Sequence, residues 1–133
     1  MLRPVLAFLA GFVAYFITTG LFYGVIVYDA QMEIMAANPE SFHADPKIAM
    51  VLIANALWVG MIQYVVTASS KKTVAAGAAH GAITLLLVNG GFNFLLLGAF
   101  KFLPTGAALL DIAANVPFGA AAGAAIAFVL GRK

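Results

Sequence analysis

The chain has 133 residues, of which 64% are hydrophobic and only 9% are charged. This composition excludes an ordinary soluble domain, in which about a quarter of the residues carry a charge. The absence of cysteine excludes disulfides, thiolate metal ligands and thiol redox chemistry, and the short length predicts one domain without a separate extramembrane catalytic unit.

Four strongly apolar stretches fill most of the chain, and about 20 such residues suffice for a helix to cross the hydrocarbon core of a bilayer. We therefore predict an all-α fold, an integral membrane bundle of four transmembrane helices. The predicted helices cover about residues 4–28, 47–70, 73–101 and 105–131, with an outer loop at 29–46. Of the four apolar stretches, the last alone contains a charged residue, Asp111.

The loop after the first helix is the longest polar segment of the chain. Asp29 is placed to cap a short helix that runs through Ala37 on the membrane surface, and an irregular loop is the open alternative. Asp45 and Pro46 would serve as N-cap and first residue of the second membrane helix.

Orientation follows from the basic residues, because short loops rich in Lys and Arg stay in the cytoplasm. Two basic residues, Lys47 and Lys101, fall on the side of the acidic loop. The opposite side carries Arg3, Lys71, Lys72, Arg132 and Lys133. Both termini are therefore predicted to be cytoplasmic. The same distribution explains the basic pI without a nucleic-acid partner.

Pairs of glycines four residues apart predict close helix contacts, since small residues let helix backbones approach in lipid. The pairs are Gly20 and Gly24, Gly77 and Gly81, and Gly119 and Gly123. Packing inside the bundle is one interpretation. Contact with a second copy or with another membrane protein is the other.

Polar side chains in the apolar stretches predict a cluster in the outer half of the bundle. Asp111 of the fourth helix should lie level with Asn93 of the third, and Asn115 level with Asn89, because a short link joins the two helices. The second and first helices add Asn55, Thr19 and Tyr23 at similar depths. This cluster is either interhelical hydrogen bonding or a site for a proton, a cation or a polar headgroup.

Near the cytoplasmic end, His80 and Gln63 have matching depths, which predicts a hydrogen-bonded pair, with a proton relay as the alternative. We predict no metal site, since the second histidine, His43, lies in the outer loop and no other ligand is near. No cofactor and no catalytic constellation are predicted either.

The stretch from Asn93 through Gly119 resembles a group of small bacterial four-helix membrane proteins of unknown function. The resemblance rests on Lys101, Pro104, Asp111-Ile112-Ala113 and Phe22-Tyr23-Gly24. This chain departs from the group at Asn93 and Ala114, where the group tends to carry Asp and Trp. The resemblance implies a bacterial inner-membrane protein and implies no activity.

From these features we predict a non-catalytic membrane protein, either an accessory subunit of a membrane complex or a self-associating bundle. Its partners would be the lipid bilayer and a second copy or another membrane protein. The alternative is a small oligomeric transporter or channel that uses Asp111 and the asparagines as its polar path. A lipid-modifying enzyme is a third possibility.

Overall fold

The computed structural model describes residues 2–45, 47–70 and 72–132. These residues are helical throughout, apart from short connections. The α-helices are α1 (Leu2–Leu21), α2 (Tyr28–Ala37), α3 (Ile48–Ala68), α4 (Val74–Ala99) and α5 (Thr105–Gly131). A π-helical turn, Phe22–Ile26, extends α1, and a 3-10 turn, Pro39–Ser41, follows α2.

In the described part of the chain, four helices are long and apolar enough to cross a membrane, which confirms the predicted all-α class with four candidate spans. The first span is continuous through the π turn and covers Leu2–Ile26; the others are α3, α4 and α5. Large apolar side chains such as Leu57 and Leu87 point outward and are 70% and 69% exposed. Such a surface suits lipid and would be costly in water.

The helix at the centre of the bundle is α5, which packs against α4, α1 and α3. Nine of its residues are buried, compared with six in α4 and four each in α1 and α3. The four long helices alternate in direction along the chain. We call the end with Leu2 and Arg132 the termini end, and the end with α2 and residues 100–104 the loop end.

The tightest contact in the bundle joins α4 and α5 through two glycine pairs. A Cβ atom at Gly81 would overlap the backbone carbonyl of Gly119, and one at Gly77 would overlap the carbonyl of Gly123. Likewise, a Cβ atom at Gly119 would overlap the backbone carbonyl of Gly81, and one at Gly123 would overlap that of Gly77. The glycines are therefore required for this approach, as expected for helices that associate through small residues. We call this contact the glycine seam.

The remaining predicted glycine pair has no such role. A Cβ atom at Gly20 or at Gly24 would meet nothing within 4 Å, and both residues are exposed. The expectation that this pair packs inside the bundle is therefore wrong, whereas contact of this face with a second copy or another membrane protein stays a prediction. Gly11, half a helix earlier, is the glycine of α1 that lies close to α5, where a Cβ atom would come within 2.6 Å of Ile126 Cγ1.

The predicted short helix in the loop is present as α2, but its start differs from the expectation. Val27 occupies the N-cap position and Asp29 lies within the first turn, where a carboxylate still interacts favourably with the helix dipole. At the start of α3 the N-cap residue is Lys47, without a side-chain cap. Asp45 therefore does not cap α3, and Pro46 lies outside the described residues.

At the termini end, Lys72 and Thr73 shape the turn between α3 and α4. The Lys72 ammonium donates to the carbonyls of Val66 (2.9 Å), Thr67 and Ser69 (2.8 Å), which the end of α3 leaves without helical partners. Thr73 caps α4 by accepting a hydrogen bond from the amide of Ala76 at 3.2 Å. Lys71 lies outside the described residues.

Candidate functional site

Toward the loop end, two hydrogen bonds between side chains join α4 to α5. Asn93 Nδ2 donates to Asp111 Oδ2 at 2.7 Å, and Asn89 Nδ2 donates to Asn115 Oδ1 at 2.9 Å. Both contacts are those expected from equal depth on antiparallel helices. All three asparagines are at most 5% exposed.

Each of these contacts is held in place by a bond to the backbone one turn away. Asn93 Nδ2 also donates to the carbonyl of Asn89 at 3.0 Å, and Asn115 Nδ2 donates to the carbonyl of Asp111 at 2.8 Å. The spacing of four residues puts each donor above the carbonyl that it reaches. The amides are therefore oriented before any further partner binds.

The π turn brings a third element to Asp111. Tyr23, within this turn, donates its hydroxyl hydrogen to Asp111 Oδ1. A π turn contains more residues than an α turn, so Tyr23 stays on the inward face that Tyr15 and Thr19 occupy earlier in α1. Both carboxyl oxygens of Asp111 accept a hydrogen bond, one from Tyr23 and one from Asn93.

Beside Asp111 lies a cavity of about 730 Å³, which is lined by all four long helices and is about half open to the surface of the bundle. Its side walls are largely apolar and aromatic, and include Trp58, Phe92 and Leu96. Its cover at the loop end comes from Ile34 and Met35 of α2 and from the aromatic rings of Phe42 and Phe102, whose centroids are 5.9 Å apart. The cavity thus has one polar wall, and its other walls are apolar.

Two side chains on the cavity wall carry polar atoms without partners. Asn55 of α3 is 7% exposed and Tyr15 of α1 is 2% exposed, and both line the cavity. Among the residues that the structure describes, neither the Asn55 amide nor the Tyr15 hydroxyl makes a hydrogen bond. These polar atoms are therefore available to a molecule in the cavity.

Thr19 was expected to join the polar cluster, and it does line the cavity. Its hydroxyl, however, bonds to its own helix, at 2.9 Å from the carbonyl of Tyr15 and 3.2 Å from that of Phe16. Threonine hydroxyls commonly return to the preceding turn of their helix in this way. Thr19 therefore contributes a methyl group and little free hydrogen-bonding capacity.

The predicted pair of Gln63 and His80 does not form. Gln63 Nε2 donates to the carbonyl of Pro4 at 3.0 Å, while His80 Nε2 lies 2.9 Å from Ser69 Oγ. Equal depth in the bundle does not bring the two side chains together, because Gln63 faces α1 and His80 faces the turn between α3 and α4. The Gln63 Oε1 atom is buried and has no partner among the residues at 2–45, 47–70 and 72–132.

Sequence reasoning missed several residues of this cavity. Trp58 lies three residues after Asn55 and thus on the same helix face, a spacing that could have pointed to it. Tyr15 is four residues before Thr19, a spacing that could have pointed to it. No local pattern marked Phe42 or Phe102, whose contact depends on how two separate connections fold over the bundle.

Comparison of the chain with protein-family models, with curated proteins and with solved structures finds no match. The functional argument therefore rests on the geometry of the cavity and on its chemistry.

Proposed function

We propose that this protein is a non-enzymatic membrane-embedded binding protein that holds a small organic molecule in the cavity at the loop end. The cavity is the observation that supports this. Its volume of about 730 Å³ lies within the range of roughly 300–1,000 Å³ for small-molecule sites and far exceeds that of a water molecule. Apolar walls with a few oriented polar groups are typical of such sites.

Interhelical hydrogen bonding alone accounts for only part of the polar cluster. Asn93 donates to Asp111, and Asn89 donates to Asn115. Among the described residues, the Asn55 amide and the Tyr15 hydroxyl make no hydrogen bond, and both residues line the cavity. A bound molecule with matching polar atoms would pair with them.

The cavity also supports binding better than conduction. A channel needs a polar path through the whole protein. Here the polar wall is confined to the loop half, whereas the termini half is closed by the glycine seam and by fully buried Ile62, Leu85 and Ile126. A carrier that changes conformation would fit the same cavity, since it needs a site open to one side at a time.

Association with a second copy or with another membrane protein stays a prediction. It was motivated by three glycine pairs, and two of these are used inside the bundle by the glycine seam. The accessory-subunit interpretation consequently has less support than binding in the cavity. An enzymatic role is not proposed, because the lone carboxylate, Asp111, already has both oxygens engaged.

We propose a bacterial inner membrane as the location, with both termini in the cytoplasm and the cavity toward the outside. Five basic residues at the termini end against two at the loop end support this orientation. Reporter fusions after Lys133 should be active as cytoplasmic enzymes, and fusions within residues 36–45 as periplasmic ones. A periplasmic C-terminus would contradict the orientation.

Binding can be followed with the protein's own fluorescence, because Trp58 is the single tryptophan and lines the cavity. In nanodiscs, we expect ω-bromoundecanol to quench Trp58 saturably, since bromine quenches indole on contact. The blocking variant is Gly20→Phe. Gly20 lines the cavity and has open space beyond its Cβ position, so the ring can fill the site without a clash.

Gly24→Phe is the matched control. Gly24 also has open space around its Cβ position, but it is not among the residues that line the cavity. We expect Gly20→Phe to abolish saturable quenching and Gly24→Phe to retain it. Equal quenching in both variants would mean that the probe reaches Trp58 from the lipid, and binding in the cavity would be refuted.

A further inference from the structure

We propose that the molecule held in the cavity is an amphipathic organic cation, with a protonated amine head beside Asp111 and an apolar body along the aromatic walls. This inference rests on the proposed function and names the class of ligand. Three observations carry it: a carboxylate without a cation, unpaired polar atoms next to it, and a wall rich in aromatic rings.

The first observation concerns charge. Asp111 is half-buried, and its two oxygens accept from Tyr23 and Asn93, which are both neutral. No basic side chain is among the described residues that line the cavity. A carboxylate in the apolar part of a membrane protein is costly unless a cation accompanies it. A cationic ligand would supply the missing positive charge beside Asp111.

The second observation concerns hydrogen bonding. Asn55 and Tyr15 contribute unpaired oxygen atoms to the same cavity as Asp111. A protonated amine carries several N–H donors and no acceptor, so it suits a wall on which acceptors are free. A carboxylate head, by contrast, would be repelled by Asp111.

The third observation concerns the aromatic side chains. Eight aromatic residues line the cavity, among them Tyr15, Tyr23 and Trp58. Organic cations bind favourably over aromatic rings, most strongly over tryptophan, and sites for ammonium groups in proteins are commonly lined in this way. The remaining apolar lining offers contacts to a hydrocarbon or aromatic body, which a bare metal ion would leave empty.

A metal ion fits the site less well. Among the described residues, no group of three histidine, cysteine or carboxylate side chains comes together. Hard cations such as Ca²⁺ prefer six to eight oxygen ligands close together. A single carboxylate on the wall of a cavity of about 730 Å³ is better matched to an organic cation.

The test compares three brominated probes of equal chain length in phosphatidylcholine nanodiscs: ω-bromoundecylamine, ω-bromoundecanol and ω-bromoundecanoate. Trp58 quenching is measured for each, and the signal in Gly20→Phe is subtracted as partition into lipid. We expect the amine to bind about tenfold more tightly than the alcohol, as for one added ionic or cation–π contact, and the carboxylate to bind most weakly.

Asp111→Asn should remove the preference for the amine while retaining binding of the alcohol. The new amide can accept from Asn93 and donate to the Tyr23 hydroxyl, so the fold should be kept. In a second variant, Asn55→Asp, a carboxylate replaces an amide that has no partner, and the preference should increase. This variant keeps the test valid if Asp111→Asn is unstable.

The outcomes separate the two proposals. Saturable binding of the alcohol with equal affinity for the amine would overturn the cationic ligand and leave the binding function standing. An amine preference that persists in Asp111→Asn and does not rise in Asn55→Asp would also overturn it. Quenching by all three probes that Gly20→Phe does not reduce would instead refute binding in the cavity.

Discussion

Gly81→Leu and Gly119→Leu should each destabilise the bundle by about 3 kcal/mol, at the upper end of the range for overpacked sites. At both positions the first added carbon overlaps backbone of the facing helix, not the movable end of a side chain. The helices must separate to accept it, and the bilayer offers no compensating hydrophobic force. Thermal melting and size-exclusion elution in detergent measure the effect. Gly123→Leu should behave in the same way.

Two matched controls separate this effect from the loss of glycine as such. Gly91 lies in α4, as Gly81 does, but a Cβ atom there meets nothing within 4 Å. Gly91→Leu should be neutral or slightly stabilising, since leucine favours helix over glycine. In α5, Ala121→Leu should be tolerated better than Gly119→Leu. If all these variants melt alike, the glycine seam does not hold α4 to α5.

A double-mutant cycle on Asn93 and Asp111 should give a coupling free energy of about 1–2 kcal/mol, large for a membrane protein. The two side chains meet at 2.7 Å, and the acceptor is a carboxylate, which strengthens the bond. Asn93→Ala and Asp111→Ala, alone and together, are compared by unfolding in mixed detergent. The double variant should cost about 1–2 kcal/mol less than the sum of the two single variants.

The control cycle pairs Asp111→Ala with Gln63→Ala. Gln63 bonds to the carbonyl of Pro4 at the termini end and shares no partner with Asp111. Distant residues without common contacts contribute additively, so this coupling should be close to zero. A zero coupling for Asn93 with Asp111 would show that their hydrogen bond does not stabilise the bundle.

The glycine pairs illustrate why one sequence pattern had two different outcomes. Gly20 and Gly24 have the same spacing as the glycines of the seam, yet they face open space. A spacing of four residues defines a smooth face on one helix. It carries no information about which face of which other helix lies opposite, because that depends on the rotation of both helices.

Among the polar residues too, one contact could be predicted from the sequence and another could not. The pairing of Asn93 with Asp111 could be predicted, because a short link forces α4 and α5 to be antiparallel neighbours and so fixes relative depth. Depth did not suffice for Gln63 and His80, whose helices are also adjacent. Their side chains point in different directions around the helix axes, and only the packed bundle sets those directions.

The sequence by itself determined the all-helical class, the number of candidate spans and the depth of each polar residue, because hydrophobic length and chain direction are local properties. The tertiary structure alone decided that α5 is central, that two glycine pairs interlock, and that Phe42 and Phe102 cover a cavity beside Asp111. Those features depend on the rotation and tilt of helices about one another. They arise from the sum of many weak packing contacts between distant segments, which no single stretch of sequence encodes.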